Sequence, residues 1–152
     1  ELVRIYVPYV EKTAITFEYQ VPTIEEFEGR IEKILQRFPY LVAEVDGQVL
    51  AYAYASSYYD RSAYDWAVEV SVYRGQGLGS RLYEALEIEL EARGYLRFLA
   101  CIALPNPASV ALHEKRGYVK VAHFPKIGYK FDQWHDIVWM QKTIEGPVKL
   151  LM

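Results

Sequence analysis

The chain of 152 residues has one cysteine, Cys101. A single thiol cannot close an internal disulfide, which fits a reducing cytoplasm, and that is the expected location. Basic runs are absent and the formal net charge is −3, so no nucleic-acid partner is expected. No apolar stretch reaches the roughly 18 residues that a membrane helix requires, and no signal-peptide pattern is found. The expectation is a soluble protein with no membrane partner. Repeats and low-complexity linkers are missing as well. The length predicts one domain, residues 1–152, large enough to bury a core.

What is present is ordinary globular composition, 52% apolar and 24% charged, with 14 tyrosines. Some of those rings are expected at a pocket or an interface. Leu2, Ile5, Tyr6, Tyr9 and Val10 follow helical spacing, so the chain opens in a helix that Pro8 is expected to kink or end. Ala14 to Tyr19 reads as a loop or short strand. Thr23-Ile24-Glu25-Glu26 is a capping box for a helix carrying Phe27, Ile31, Ile34, Leu35 and Phe38, which stops before Pro39. Asp46-Gly47 between Tyr40–Val45 and Gln48–Ala55 is a two-residue hairpin signal. A polar and aromatic loop, Ser56 to Asp65, precedes a strand from Trp66. Gly94 is placed to end a long helix, and Phe98 to Leu104 is an apolar strand. Asn106 and Pro107 read as N-cap and first residue of a short helix closed by Gly117. Tyr118–His123 and Ile137–Lys142 are expected as two final strands around a loop holding Lys130, Trp134 and His135. The order predicts an α/β fold with a mixed sheet.

The central stretch is Glu69 to Glu84, EVSVYRGQGLGSRLYE. Val68, Val70 and Val72 alternate with Glu69, Ser71 and Tyr73, the period of a half-buried strand. Arg74-Gly75-Gln76-Gly77-Leu78-Gly79 follows, then a helix with Leu78, Leu82, Leu86 and Leu90 on one stripe. A strand running through glycines into a helix start offers free amides and a positive dipole end, a site for phosphate. The run has neither the Gly-Lys-Ser/Thr ending of the Walker loop nor the dinucleotide spacing. It resembles instead the pyrophosphate loop of the GNAT superfamily of N-acetyltransferases, which bind acetyl-CoA.

The likeness extends through TAITFE, FPYLVAEVDGQVLAYAYA, SAYDWAVEVSVY, LPNPASVALHEKRGY and GYKFDQWHDIVWMQK. These segments resemble the phosphinothricin acetyltransferase branch. The resemblance implies the GNAT fold, a central, mixed but mostly antiparallel twisted sheet flanked by helices. It implies acetyl transfer from acetyl-CoA, without a metal, to the amino group of a small L-amino acid such as phosphinothricin, methionine sulfone or methionine sulfoximine. A homodimer is implied too.

Residue by residue, the resemblance makes Glu69 the base that frees the amine. The thioester oxygen would accept from a backbone N–H, expected at Val72, and Val70, Ser71 and Val72 would pair with the pantetheine arm. Arg74, Gly75, Gln76, Gly77, Leu78, Gly79 and Ser80 would hold the pyrophosphate. His113 stands where many members carry a Tyr that protonates the leaving thiolate, and an imidazole can supply that proton near neutral pH. Asn106 would bond pantetheine, and Ser109 and Lys115 would reach cofactor phosphates. Arg61 would bind the acceptor carboxylate, with Phe17, Tyr64, Trp134 and His135 walling the pocket. Each of these has a structural alternative: an N-cap for Asn106, a packing histidine for His113, core or interface for the aromatics.

Two departures from the family are visible. The family usually has a strand before its first helix, and about five more residues stand between the Tyr of the strand and the Arg of the loop. Here Tyr73 abuts Arg74, and an omission of residues is expected in preference to a shortened strand. A Tyr at 59, where the family often has a second Arg, favours an acceptor with one carboxylate. The other readings are a GNAT enzyme acting on a polyamine, aminoglycoside or protein N-terminus, and a non-catalytic acyl-CoA-binding domain.

Overall fold

The computed structural model describes residues 1–74 and 78–148, with the Arg74 side chain outside the description. Six strands form one sheet in the order β1-β2-β3-β4-β6-β5. These are β1 (Tyr40–Val45), β2 (Gln48–Ser57), β3 (Ala67–Arg74), β4 (Arg97–Ala103), β5 (Val119–Lys130) and β6 (Gln133–Thr143). Among the described residues only β3 and β4 pair in parallel, and the other pairings are antiparallel. The helices are α1 (Leu2–Lys12), α2 (Ile24–Leu35), α3 (Gly79–Ala92) and α4 (Pro107–Lys115).

The period-two pattern sorts the two faces. Ala51, Ala53 and Ala55 of β2, Val68 and Val70 of β3 and Phe98, Ala100 and Ile102 of β4 pack with Leu82, Leu86 and Leu90 of α3. Small alanines let the helix approach the sheet closely. On the opposite face Tyr52 joins Tyr6 and Val10 of α1 and Phe27 of α2, with Tyr54 and Tyr73 against them. Tyr73 is edge-on to Tyr6, with centroids 5.0 Å apart.

Local chemistry explains the boundaries. The Thr23–Glu26 capping box forms in both directions. Asp46 and Gly47 both take positive φ, 51° and 77°, the requirement of a two-residue turn matching strand twist. α1 runs through Pro8 to Lys12, so Pro8 does not end it. Pro8 is exposed, so the carbonyl it leaves unbonded can be hydrated. α2 ends at Leu35 and Phe38 packs beyond it.

The largest difference from expectation is the C-terminal hairpin. Lys130, Trp134 and His135 are strand residues of β5 and β6, joined by Phe131 and Asp132 at φ 54° and 56°. The expected loop is thus a second turn with two left-handed residues, without the Asn-Gly or Asp-Gly that usually marks one. β3 also runs unbroken through the Tyr73–Arg74 junction, where the two residues pair consecutively with Tyr52 and Ala51. The omission expected there has no counterpart in the register of β3 on β2.

Candidate active site

β3 and β4 pair only at Ala67–Arg97, Val68–Phe98 and Glu69–Leu99. β3 continues to Arg74 and β4 to Ala103, so their facing backbones part after Glu69. The slot between them, about 70 Å³, is lined by Val70, Ser71, Val72 and Tyr73 on one side and Ala100 to Ala103 on the other. Asn106, Ser109 and His113 of the α4 region line it as well. Unpaired strand edges present amides and carbonyls that need partners. A narrow slot edged this way fits an extended amide chain laid in as an extra strand, the chemistry of a pantetheine arm.

Glu69 stands on the last paired rung, where the slot opens. It is half-buried, and burial raises its carboxyl above the ordinary value of 4.5. Ser56 stands opposite it on β2. Cys101 stands on β4 two residues beyond Leu99, the residue paired with Glu69. Although Cys101 keeps solvent contact, desolvation by surrounding atoms, then the Glu69 charge, pushes its thiol up to about 11.

Beside the slot, α4 begins as the sequence predicts. Asn106 caps it, Oδ1 accepting from the Ser109 N–H at 3.2 Å, with Pro107 at the first turn. His113 is buried and held on both nitrogens. Nδ1 lies 2.7 Å from the Ser109 carbonyl oxygen, which can only accept, and Nε2 lies 2.7 Å from the Tyr83 hydroxyl. α3 starts at Gly79, after Leu78. A leucine supplies no side-chain acceptor, which leaves the first-turn amides to a ligand or solvent. Gly79 is buried and Ser80 exposed. Gly75, Gln76, Gly77 and the Arg74 side chain lie outside the described residues. Lys115 is exposed at the end of α4 and does not line the slot.

The expected acceptor residues fall into two groups. Arg61 and Tyr64 lie in the β2–β3 connection, both exposed, with Tyr64 packed on Tyr58 at 5.7 Å. Tyr58 meets Trp139 of β6 edge-on at 5.6 Å. The second group is at the hairpin tip. The Phe17 ring covers Gly128 so closely that a methyl there would collide with it, and it lies 6.3 Å from the His135 ring. His135 donates through Nε2 to the Lys130 carbonyl at 3.0 Å. Trp134 is exposed against Tyr129. Lys130, itself buried, donates to the Thr16 carbonyl at 2.9 Å, and the Tyr19 hydroxyl donates to the Tyr129 carbonyl. These bonds fasten the Thr13–Tyr19 segment to the hairpin. Its other side is held by Glu18, which accepts from Tyr6 Oη and pairs with Arg30, both at 2.7 Å. Burial, then the Glu18 carboxylate, pushes the Tyr6 hydroxyl up to about 12.

A cavity of about 620 Å³ between α2 and β2 went unread in the sequence. Arg30, Lys33 and Arg37 form one wall, and Tyr40, Tyr52 and Tyr54 stack along the other, Tyr40 and Tyr54 4.9 Å apart. Ser56 lines it too, so the cavity comes up beside Glu69. The i, i+3, i+7 spacing of the three cations was the available signal. The cavity is much larger than the slot. No group of three or more metal-ligating residues is found among the described residues.

The chain matches the family described as Acetyltransferase (GNAT) domain over residues 1–139. It is 42% identical over 144 residues to the phosphinothricin N-acetyltransferase of Streptomyces viridochromogenes, covering 91% of this chain and 79% of that protein. To the L-methionine sulfoximine/L-methionine sulfone acetyltransferase of Pseudomonas aeruginosa it is 35% identical over 116 residues, 72% of this chain and 67% of that protein. Among solved structures, a GNAT superfamily phosphinothricin acetyltransferase from Sinorhizobium meliloti in complex with AcCoA superposes with a TM-score of 0.92 at 30% identity, covering 99% of this chain and 88% of that one. A slot between parting parallel strands, a carboxylate at its mouth and a domain match over nearly the whole chain agree: this chain belongs to the GNAT acetyltransferase family.

Proposed function

We propose that the protein transfers the acetyl group of acetyl-CoA to the amino group of a small L-amino acid of the phosphinothricin, methionine sulfone or methionine sulfoximine class. The observation that carries this reading is the position of Glu69, at the rung where β3 and β4 part. Relatives named for phosphinothricin and methionine sulfoximine/sulfone support the acceptor class.

An amino acid reaches neutral pH as an ammonium and must lose a proton before it can attack. Glu69 takes that proton, and its raised carboxyl brings it closer to the pH at which a base works best. Acetyl-CoA supplies the activated thioester. The β3 edge from Val70 to Val72 holds the arm and offers the Val72 amide for the carbonyl oxygen. Arg61 supplies a guanidinium for the acceptor carboxylate. The cationic wall of Arg30, Lys33 and Arg37 makes this side of the sheet attractive to an anionic acceptor. The same wall argues against the polyamine reading, because it would repel a polycation.

A homodimer is part of the proposal. β5 is an edge strand whose Val119, Val121, Phe124, Ile127 and Tyr129 are exposed, a surface suited to a second copy. Sedimentation at micromolar concentration checks it, and a monomer contradicts it. A cytoplasmic location completes the reading. The deciding experiment is a screen of amino acids with acetyl-CoA, read by release of free thiol. Turnover of methionine sulfone or phosphinothricin is expected, and turnover of polyamines alone would overturn the assignment.

A further inference from the structure

His113 is enclosed by rings. Tyr83 of α3 lies edge-on at 5.0 Å and Tyr118, just after α4, edge-on at 5.1 Å. Both tyrosines are buried, yet their hydroxyls go to different places. Tyr118 donates to Glu87 Oε2 at 2.8 Å. Tyr83 meets His113 Nε2 at 2.7 Å. The Ser109 carbonyl can only accept, so the imidazole proton sits on Nδ1 and Nε2 is left as an acceptor. The Tyr83 hydroxyl must then donate to Nε2. Tyr83 and His113 both line the slot between β3 and β4.

We propose that Tyr83 relays the proton of His113: with the tautomer fixed by the Ser109 carbonyl, its hydroxyl takes the Nε2 proton of the imidazolium and passes its own into the slot. This rests on the acetyltransferase reading above. In the charged form, Nε2–H donates to Tyr83 Oη, which turns its own O–H toward the slot. When the proton leaves Oη, Oη recovers one from Nε2, and the neutral imidazole that remains accepts from Tyr83. The arrangement in the structure is that discharged state, and His113 is recharged from solvent. No charge stays on the phenol, which matters because a buried phenolate is costly. The other titratable groups lining this part of the slot are Tyr73 of β3 and Cys101 of β4, while the Glu87 carboxylate reaches the cage through Tyr118.

The test uses Tyr83→Phe, which keeps the ring and removes the hydroxyl. With three histidines in the chain, ¹⁵N imidazole resonances can be assigned and read without any ligand. Wild type is expected to show His113 protonated on Nδ1, and Tyr83→Phe to shift the Nε2 resonance, which loses its donor, while Nδ1 stays protonated against the Ser109 carbonyl. The variant's kcat should fall about a hundredfold, the low end for a proton-transfer contribution, with the acetyl-CoA KM within about twofold. Tyr118→Phe removes the other hydroxyl of the cage. It should lower Tm while leaving the His113 tautomer as in wild type. If Tyr83→Phe fails to fold, 3-fluorotyrosine placed at 83 keeps the shape and acidifies the phenol, and it should still move the Nε2 resonance. An unchanged His113 spectrum in whichever Tyr83 variant folds, or a wild type protonated on Nε2, overturns the proposal. An unchanged kcat in folded Tyr83→Phe, or equal effects on kcat and acetyl-CoA KM, does so too. If no amine is acetylated at all, the functional reading fails instead, and the tautomer result stands by itself.

Discussion

The two faces of the sheet are built to different rules. Towards α3, β2 presents Ala51, Ala53 and Ala55, and the polar groups are gathered at a few fixed points. Glu87 of α3 is the chief one. Its Oε1 lies 2.8 Å from Arg116 and 2.9 Å from Lys142, and its Oε2 accepts from Tyr118. Burial alone would raise its pKa, but these three bonds hold it below the ordinary value. Towards α1 and α2, the same strands present Tyr52 and Tyr54 and then Glu69, Ser71 and Tyr73. Cations there stand exposed around a cavity. The first face backs the slot between β3 and β4. The second carries the larger cavity and its exposed cations, the side proposed for the acceptor.

Substitutions on either face sharpen this contrast. The largest effect is expected from Glu69→Gln, which keeps shape but cannot take a proton. Its kcat at pH 7 should fall by about 10² or more, with acetyl-CoA binding intact by calorimetry. Wild-type kcat in this variant would move the base elsewhere, to His135 as the next candidate.

On the α3 face, Glu87→Gln should act on stability alone. Leaving Arg116 and Lys142 without their carboxylate should cost about 3 kcal/mol, read as a lower urea midpoint. Because the Glu87 pKa is depressed in the fold, its contribution is present above the ordinary 4.5 and is lost as pH falls through the folded value. Wild-type stability should therefore decline on acidification below that point, and the variant's should decline less. A midpoint equal to wild type would show the cluster to be ornamental.

Arg61→Ala should raise the amino-acid KM about tenfold, the low end for a lost charge-assisted pair, and leave the acetyl-CoA KM unchanged. Equal effects on both would make Arg61 structural. Smallest of all, Lys130→Met should remove the tie from β5 to the Thr16 carbonyl and cost about 1 kcal/mol. Its Tm should drop by a few degrees, and no change would mean the tie contributes nothing.

How much of this was legible depends on how local the signal is. The Thr23 capping box, the Asp46-Gly47 turn and the Asn106-Pro107 helix start are written in neighbouring residues, and each formed. The strand alternation around Glu69 placed the carboxylate opposite Val68 and Val70. The β5–β6 hairpin was cut short because Phe131-Asp132 is an unusual turn pair, and Gly128, inside β5, is where the Phe17 ring crosses the strand. The Tyr83–His113 bond joins residues 30 apart, and the Arg30–Lys33–Arg37 wall becomes a wall only once Tyr40 and Tyr54 stand across from it. Contacts of this kind depend on the fold and leave no local mark.

In the proposed reaction a desolvated Glu69, at the point where β3 leaves β4, deprotonates the acceptor. The pH dependence of kcat/KM for the amino acid, measured in wild type and in Glu69→Gln, tests it most directly. Burial raises the Glu69 carboxyl above 4.5, so the wild-type acid limb should lie above that value, with activity lost as pH falls through it. In Glu69→Gln that limb should vanish, and the deficit should shrink as pH rises toward the acceptor's own amine pKa, where solution supplies the neutral amine. An identical acid limb in the variant would contradict the account.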